Sequence, residues 1–168
     1  MVMKKLVVYY SLSGNTQFIA ENIADEIRAD ILRLRPKREI DPGSLWRYLW
    51  GGKQVVMKEK PELLPLDKNP QDYEVLFIGT PVWAFNYSPP LRTFLDLCAG
   101  MRLKSKKIAL FCCYGGLKGN VFGNMKKALS GNEILGKKGF FEPLMFNEEL
   151  NAIKARKWAK EIVKKAGE

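Results

Sequence analysis

The sequence of 168 residues contains no histidine. This absence excludes histidine-based catalytic triads, histidine metal sites and the side chain that most often acts as a general base near neutral pH. Cys98, Cys112 and Cys113 have no metal-site spacing, and the adjacent pair cannot easily form a bridge. We therefore expect buried cysteines in a reducing compartment, and we predict no metal site and no catalytic side chain.

Long apolar runs are also missing from the chain. The longest, such as residues 75–79 and 108–113, are too short to span a bilayer and have the length of buried strands. The chain also lacks the apolar region and cleavage site of a signal peptide, so we expect a cytoplasmic protein without membrane insertion. The length, with 46% hydrophobic and 27% charged residues, predicts a single domain over residues 1–168.

Acidic residues are fewer than basic ones, 18 against 28, which gives a net charge of +10. That charge is compatible with nucleic acid, an anionic membrane surface or an acidic protein partner, and equally with a lysine-rich surface in solvent. The basic residues are spread along the chain, with local runs only at 33–38, 102–107 and 154–165. We favour the solvated surface and expect no nucleic-acid partner.

The sequence does contain an alternation of strand and helix patterns. Short apolar runs rich in β-branched and aromatic residues predict five strands, at 5–10, 31–34, 74–80, 107–113 and 134–146, the last interrupted around Gly139. Apolar residues three and four positions apart predict four helices, at 14–28, 90–99, 120–129 and 149–166.

This alternation predicts an α/β fold in which a five-stranded, mainly parallel sheet is covered by helices on both faces. We expect the doubly wound strand order 2-1-3-4-5, with ligands bound by the loops after strands one, three and four. Residues 40–66, with Trp46, Tyr48 and Trp50, interrupt the alternation. They are expected to form a helical or irregular excursion that either packs on the sheet edge or supplies a dimer surface or a ligand cover.

The segment after the first strand has the clearest site pattern. Residues 11–16, Ser-Leu-Ser-Gly-Asn-Thr, offer three hydroxyls, one amide and a glycine at the start of a helix. Free N–H groups and the helix dipole at such a position favour an anion, and hydroxyls add donors without adding charge. In the alternative, Ser13 or Asn15 only caps the helix, but capping explains one polar residue and not four. The loop therefore predicts a bound phosphate.

Other phosphate-binding proteins have signatures that are absent here. No Gly-Lys-Ser/Thr ending is present, as in P-loop NTPases, and no G-x-G-x-x-G follows the first strand. Tyr9 and Tyr10 stand where a receiver domain has acidic residues. Neither Cys112 nor Cys113 is followed by an arginine at the spacing of a low-molecular-weight tyrosine phosphatase.

Residues 11–16 resemble the phosphate signature of the flavodoxin family, [Thr/Ser]-x-[Thr/Ser]-Gly-x-Thr. The resemblance continues at Gly-Thr-Pro-Val-Trp-Ala, residues 79–84, and at Cys-Tyr-Gly-Gly, residues 113–116, in order and spacing over essentially the whole chain. It implies a flavodoxin-like fold with FMN as the cofactor. The cofactor-binding residues that it implies are Ser11, Leu12, Ser13, Gly14, Asn15, Thr16, Thr80, Pro81, Val82, Trp83, Ala84, Phe85, Cys113, Tyr114, Gly115 and Gly116.

In the family, the second and third loops flank the flavin ring. The resemblance makes Trp83 the candidate for stacking on the ring, with a core tryptophan behind the loop as the alternative. It also implies that the backbone of Gly115 and Gly116 reaches the pyrimidine edge, the alternative being an ordinary turn. Many members have a second-loop glycine whose peptide turns towards flavin N5 on reduction. Residues 83–87 contain none, although Asn86 tolerates positive φ better than most residues.

The charge near the ring loops leads to an expectation about the reduction potential. Conventional flavodoxins are acidic, which disfavours the anionic reduced flavin. Neither ring loop here contains an acid, and Lys118 is close to the third loop, so we expect a less negative second potential.

Three functions are compatible with the sequence. The first is an FMN-binding electron carrier, the second an NAD(P)H-dependent FMN or quinone reductase of the same fold, and the third a basic anion-binding module without a redox role. The small size favours the carrier, although some reductases of this size build their nicotinamide site between subunits. The positive charge favours an acidic redox partner, and a homodimer is compatible with the excursion at 40–66.

Overall fold

The computed structural model describes residues 3–38 and 60–167. Most of the excursion expected at 40–66, with its three aromatic residues, lies outside the described residues. Of its last part, residues 60–66, Leu63 is buried and forms an antiparallel bridge with Pro36.

A parallel sheet of five strands forms the centre of the described structure. Its strands are β1 (Lys5–Tyr9), β2 (Asp30–Arg33), β3 (Val75–Trp83), β5 (Lys107–Tyr114) and β6 (Glu133–Phe141). A two-residue strand, β4 (Asn86–Tyr87), pairs antiparallel with the end of β3. The parallel strands lie in the order β2-β1-β3-β5-β6. Without β4 this is the order 2-1-3-4-5, so the predicted doubly wound fold is confirmed.

The helices cover both faces of the sheet. They are α1 (Asn15–Ile27), α2 (Pro89–Gly100), α3 (Val121–Ala128) and α4 (Glu148–Gly167), and a 3₁₀ turn spans Pro70–Asp72. α1 and α4 pack on one face, whereas α2 and α3 pack on the other. Among the described residues, no helix is both long enough and apolar enough to cross a membrane.

After Lys5, strand β1 is apolar at every position rather than at alternate ones. Leu6 and Val8 point into the core beneath α2 and α3, while Val7 and Tyr9 point into the core beneath α1 and α4. All four side chains are buried, because a strand between two helical layers has no solvent face.

Two strands end three or more residues away from their predicted ends, and the other ends differ by a single residue. β3 continues to Trp83, since β5 pairs with it as far as Pro81 and β4 pairs with its last two residues. The last strand ends at Phe141 rather than at residue 146, because its neighbour β5 ends at the paired residue Tyr114. Its irregularity lies at the register shift beside Leu135, not at Gly139.

Candidate cofactor site

The phosphate loop, residues 11–16, joins β1 to α1. Gly14 adopts φ 90° just before the helix, a backbone conformation that glycine takes without a steric penalty. The first helical hydrogen bond runs from the Phe18 N–H to the Gly14 carbonyl, 2.9 Å. The amides before Phe18 therefore have no intrahelical acceptor. Gly14 occupies the N-cap position and no side chain caps the helix there, which does not support the capping alternative.

Two hydroxyls of this loop are buried without a partner. Ser11 is 5% exposed and Thr16 is 1% exposed, and neither Ser11 Oγ nor Thr16 Oγ1 has a hydrogen-bond partner among the described residues. Leaving a buried hydroxyl unsatisfied costs about 1–3 kcal/mol, so such groups usually await a ligand or water. Together with the unbonded amides, these hydroxyls fit a phosphate, which is rich in acceptor oxygens.

Asn15 is used differently from the rest of the loop. Its Nδ2 donates to Ser13 Oγ at 3.2 Å, and its Oδ1 accepts from the backbone N–H of Leu144 at 3.1 Å. Both ends of the amide are thus engaged within the protein. The structure makes Asn15 a link to a distant segment.

The second predicted loop lies mostly on strand β3 and forms a hairpin with β4. Thr80 is fully buried. Its Oγ1 donates to the Pro81 carbonyl at 2.9 Å, accepts from the Ser88 N–H at 3.0 Å and lies 3.1 Å from Ser88 Oγ. Thr80 therefore fastens the hairpin to the start of α2. Pro81 and Val82 are half-buried on the same strand.

Trp83 lies at the end of β3 and is 8% exposed. Its ring meets Tyr10 edge-on, with centroids 5.8 Å apart, within the core beneath α2 and α3. This placement favours the alternative of a core tryptophan, because little of its surface is free to stack on a flavin.

The turn of the hairpin, Ala84–Phe85, has an unusual backbone. Ala84 adopts φ 45° and Phe85 φ 65°, and both are exposed. Two-residue hairpin turns of this kind require positive φ and normally contain Asn and Gly. The strained positions are therefore Ala84 and Phe85. Asn86, the residue expected to tolerate positive φ, is not among the positive-φ residues and instead pairs with Trp83 in the hairpin.

The third predicted loop follows β5 and is open to solvent. Cys113 is buried at the strand end, Tyr114 is half-buried, and Gly115 and Gly116 are exposed. Lys118 Nζ lies 5.1 Å from the centroid of the Tyr114 ring. The loop packs against the hairpin turn at Gly119, where a side chain would overlap the backbone of Phe85.

The cysteines near the site are not activated thiols. Burial raises the pKa of Cys112 and of Cys113 to about 12. For Cys113 the neighbouring Thr16 hydroxyl partly opposes this rise, although its geometry gives no hydrogen bond to the thiol. Both thiols are thus protonated at neutral pH, and the described residues contain no group of side chains suited to a metal ion.

A further segment, residues 142–146, was not predicted to lie near the site, but it contacts the predicted loops through Glu142 and Leu144. It follows β6, in a stretch where the sequence pattern predicts that the strand continues to residue 146. The Glu142 side chain lies against Gly115, so an acid does adjoin the third loop. The available signal was topological: parallel strands end at one edge of a sheet, so the loop after the last strand belongs with the others.

Comparisons with known proteins agree with this architecture. The family model described as flavodoxin matches residues 4–162. An uncharacterized protein of Archaeoglobus fulgidus is 28% identical over 108 residues, which cover 64% of this chain and only 64% of that protein.

Two solved structures extend the comparison over the whole fold. A candidate flavoprotein of Bacteroides eggerthii is 27% identical, with a TM-score of 0.72, over 95% of this chain and 98% of that one. A flavoprotein of Lactobacillus acidophilus, solved in complex with FMN, is 21% identical, with a TM-score of 0.67, over 88% and 98%. At that identity the second likeness shows the fold alone.

The chain belongs to the flavodoxin family. Membership makes FMN the cofactor. The loop at residues 11–16 fits the FMN phosphate through the unpartnered hydroxyls of Ser11 and Thr16 and the amides at the start of α1. The assignment of individual ring-side residues stays a prediction.

Proposed function

We propose that this chain is an electron carrier. FMN supplies the redox chemistry when bound, and the protein holds it, tunes it and leaves it accessible to a partner. The observation that supports this role most is the exposure of the third loop, where every residue from Gly115 to Asn120 is exposed. A carrier needs such an open edge, because the redox centre of a partner protein must approach the flavin closely.

The character of that edge supports a protein partner of opposite charge. Phe85 and Leu117 are 58% and 77% exposed beside the cationic Lys118, on a chain of net charge +10. Exposed apolar groups supply contact area, and the positive charge accelerates encounter with an acidic surface. We propose an acidic redox protein as the partner and the cytoplasm as the compartment, with the chain acting as one domain.

The alternative is an NAD(P)H-dependent FMN or quinone reductase working as a homodimer. The same exposed apolar groups favour this alternative if a second copy, rather than an acidic protein, covers them. A third possibility, an anion-binding module without redox chemistry, does not account for the family membership.

Anaerobic reduction separates these functions. The purified protein is loaded with FMN, and its visible spectrum is followed after addition of NADH, NADPH or dithionite. The carrier predicts slow or no bleaching by nicotinamide and full bleaching by dithionite. Rapid bleaching by NADH or NADPH would establish the reductase instead. A chain that takes up no FMN would overturn both.

A further inference from the structure

The segment after β6 is a compact turn. The N–H groups of Met145 and Phe146 both donate to the Glu142 carbonyl, at 2.9 and 3.0 Å. Pro143 is buried, and Asn147 accepts from the Leu150 N–H through Oδ1 at the start of α4. These hydrogen bonds therefore define the backbone conformation of the turn.

One side of the turn touches the phosphate loop. The Leu144 N–H donates to Asn15 Oδ1 at 3.1 Å, across 129 positions of sequence. The Leu144 side chain covers Gly14, since a methyl group at Gly14 would lie 3.4 Å from Leu144 Cδ1. Leu144 thus contacts both residues at which the loop turns into helix α1.

The other side of the turn touches the third loop. The Glu142 N–H donates to the Tyr114 carbonyl at 2.9 Å, and the Glu142 carboxylate fills the space where Gly115 has no side chain. The rings of Tyr114 and Phe141 meet edge-on at 5.6 Å, and Phe146 stacks on Phe141 at 5.5 Å. One short segment therefore connects the loop for the phosphate with a loop for the ring.

We propose that the turn after β6 takes part in the FMN site through Leu144, which is a positioning residue for the phosphate loop. This inference rests on the proposed FMN-binding function. Leu144 acts at two points, through its N–H on Asn15 and through its side chain on Gly14. It thereby holds the loop in the conformation that presents its amides and the hydroxyls of Ser11 and Thr16.

The neighbouring residue provides a matched control. Met145 is 71% exposed, whereas Leu144 is 40% exposed and lies against the phosphate loop at Gly14 and Asn15. The test compares Leu144→Ala with Met145→Ala in the full chain stripped of flavin. Dissociation constants are measured for FMN and for riboflavin, which lacks the phosphate, by quenching of flavin fluorescence, and the melting temperature of each apoprotein is recorded.

The positioning role predicts a loss that depends on the phosphate. In Leu144→Ala the dissociation constant for FMN should rise about three- to tenfold, as expected for part of a leucine side chain removed from contact. The constant for riboflavin should stay within about twofold. Met145→Ala should change neither constant.

Three outcomes would overturn the inference. Unchanged FMN affinity in Leu144→Ala would show that the segment does not act on the phosphate loop. Equal losses for FMN and riboflavin, together with a lower melting temperature, would reduce the residue to a structural role. If the unaltered chain binds neither FMN nor riboflavin, the proposed FMN-binding function is wrong, and the inference that rests on it is wrong too.

Discussion

The phosphate loop places a glycine, Gly14, at positive φ (90°). The hairpin turn beside the third loop places two other residues there, Ala84 at φ 45° and Phe85 at φ 65°. Glycine adopts positive φ at no steric cost, but for other residues the conformation costs about 1–2 kcal/mol each. The two regions lie at the same edge of the sheet, and only one of them is relaxed in its backbone.

Their polar groups differ in the opposite sense. Thr80, in the hairpin, is fully hydrogen-bonded within the protein, while Ser11 and Thr16, in the phosphate loop, are buried and unpartnered. The phosphate loop is thus destabilised by buried hydroxyls without hydrogen-bond partners, and a bound anion can supply those partners. The hairpin is destabilised by the positive φ of two non-glycine residues, and a change of backbone conformation can relieve that strain.

The largest effect is expected from the double variant Ser11→Ala, Thr16→Val. Each hydroxyl that bonds a charged phosphate contributes about 1.5–3 kcal/mol, so the FMN dissociation constant should rise about a hundredfold or more. Without flavin, the variant should unfold at the same temperature or higher, because two unsatisfied buried hydroxyls are gone. Fluorescence titration and thermal unfolding measure the two effects.

A hydroxyl with a partner gives the control for that experiment. Thr93 lies on helix α2, and its Oγ1 donates to the Pro61 carbonyl at 2.8 Å. Thr93→Val should lower the stability of the apoprotein and leave FMN affinity unchanged. If the double variant behaved in the same way, the idea that Ser11 and Thr16 await an anion would be wrong.

A smaller effect is expected from the two charges beside the third loop. Neither ring loop contains an acid, but Glu142 adjoins Gly115 from the turn after β6, and Lys118 lies over Tyr114. Glu142→Gln removes a negative charge and should make the second reduction potential less negative. Lys118→Gln should make it more negative. Each shift should be on the order of tens of millivolts, since both groups are near solvent.

Spectroelectrochemistry of the FMN-bound protein measures these shifts. Lys164→Gln serves as the control, because Lys164 is exposed in the last turn of α4. That end of the helix lies at the opposite edge of the sheet, where Lys107 Nζ donates to the Ala166 carbonyl. Shifts of the same sign in Glu142→Gln and Lys118→Gln would contradict an electrostatic origin. A second reduction potential that falls with added salt in Lys118→Gln but not in the unaltered chain would indicate an indirect effect.

The sequence predicted the fold and the phosphate loop because both depend on local patterns. Apolar runs specify buried strands, and a glycine with hydroxyls before a helix specifies an anion site. The ring side could not be predicted in the same way. The burial of Trp83 against Tyr10 and the contact of Glu142 with Gly115 depend on how distant segments pack. The strained pair Ala84–Phe85 contradicts the usual turn residues, so no turn pattern marks it.

The smallest expected effect tests the strain directly. Ala84→Gly should raise the free energy of unfolding of the apoprotein by about 0.5–1 kcal/mol, because the relief of positive φ exceeds the entropy that glycine adds to the unfolded chain. The melting temperature should rise by about 1–4 °C. Ala152→Gly, in the interior of α4, should instead lower it, since glycine there relieves no strain.

The same variant measured with FMN bound shows what the strain is for. If Ala84→Gly stabilises the FMN-bound protein as much as the apoprotein, the turn keeps its conformation in both, and FMN affinity is unchanged. If the gain is confined to the apoprotein, FMN affinity must fall by the same free energy, because the two equilibria are linked. That result would mean that the cofactor relieves the turn. A lower melting temperature of the variant apoprotein would remove the contrast between the hairpin and the phosphate loop.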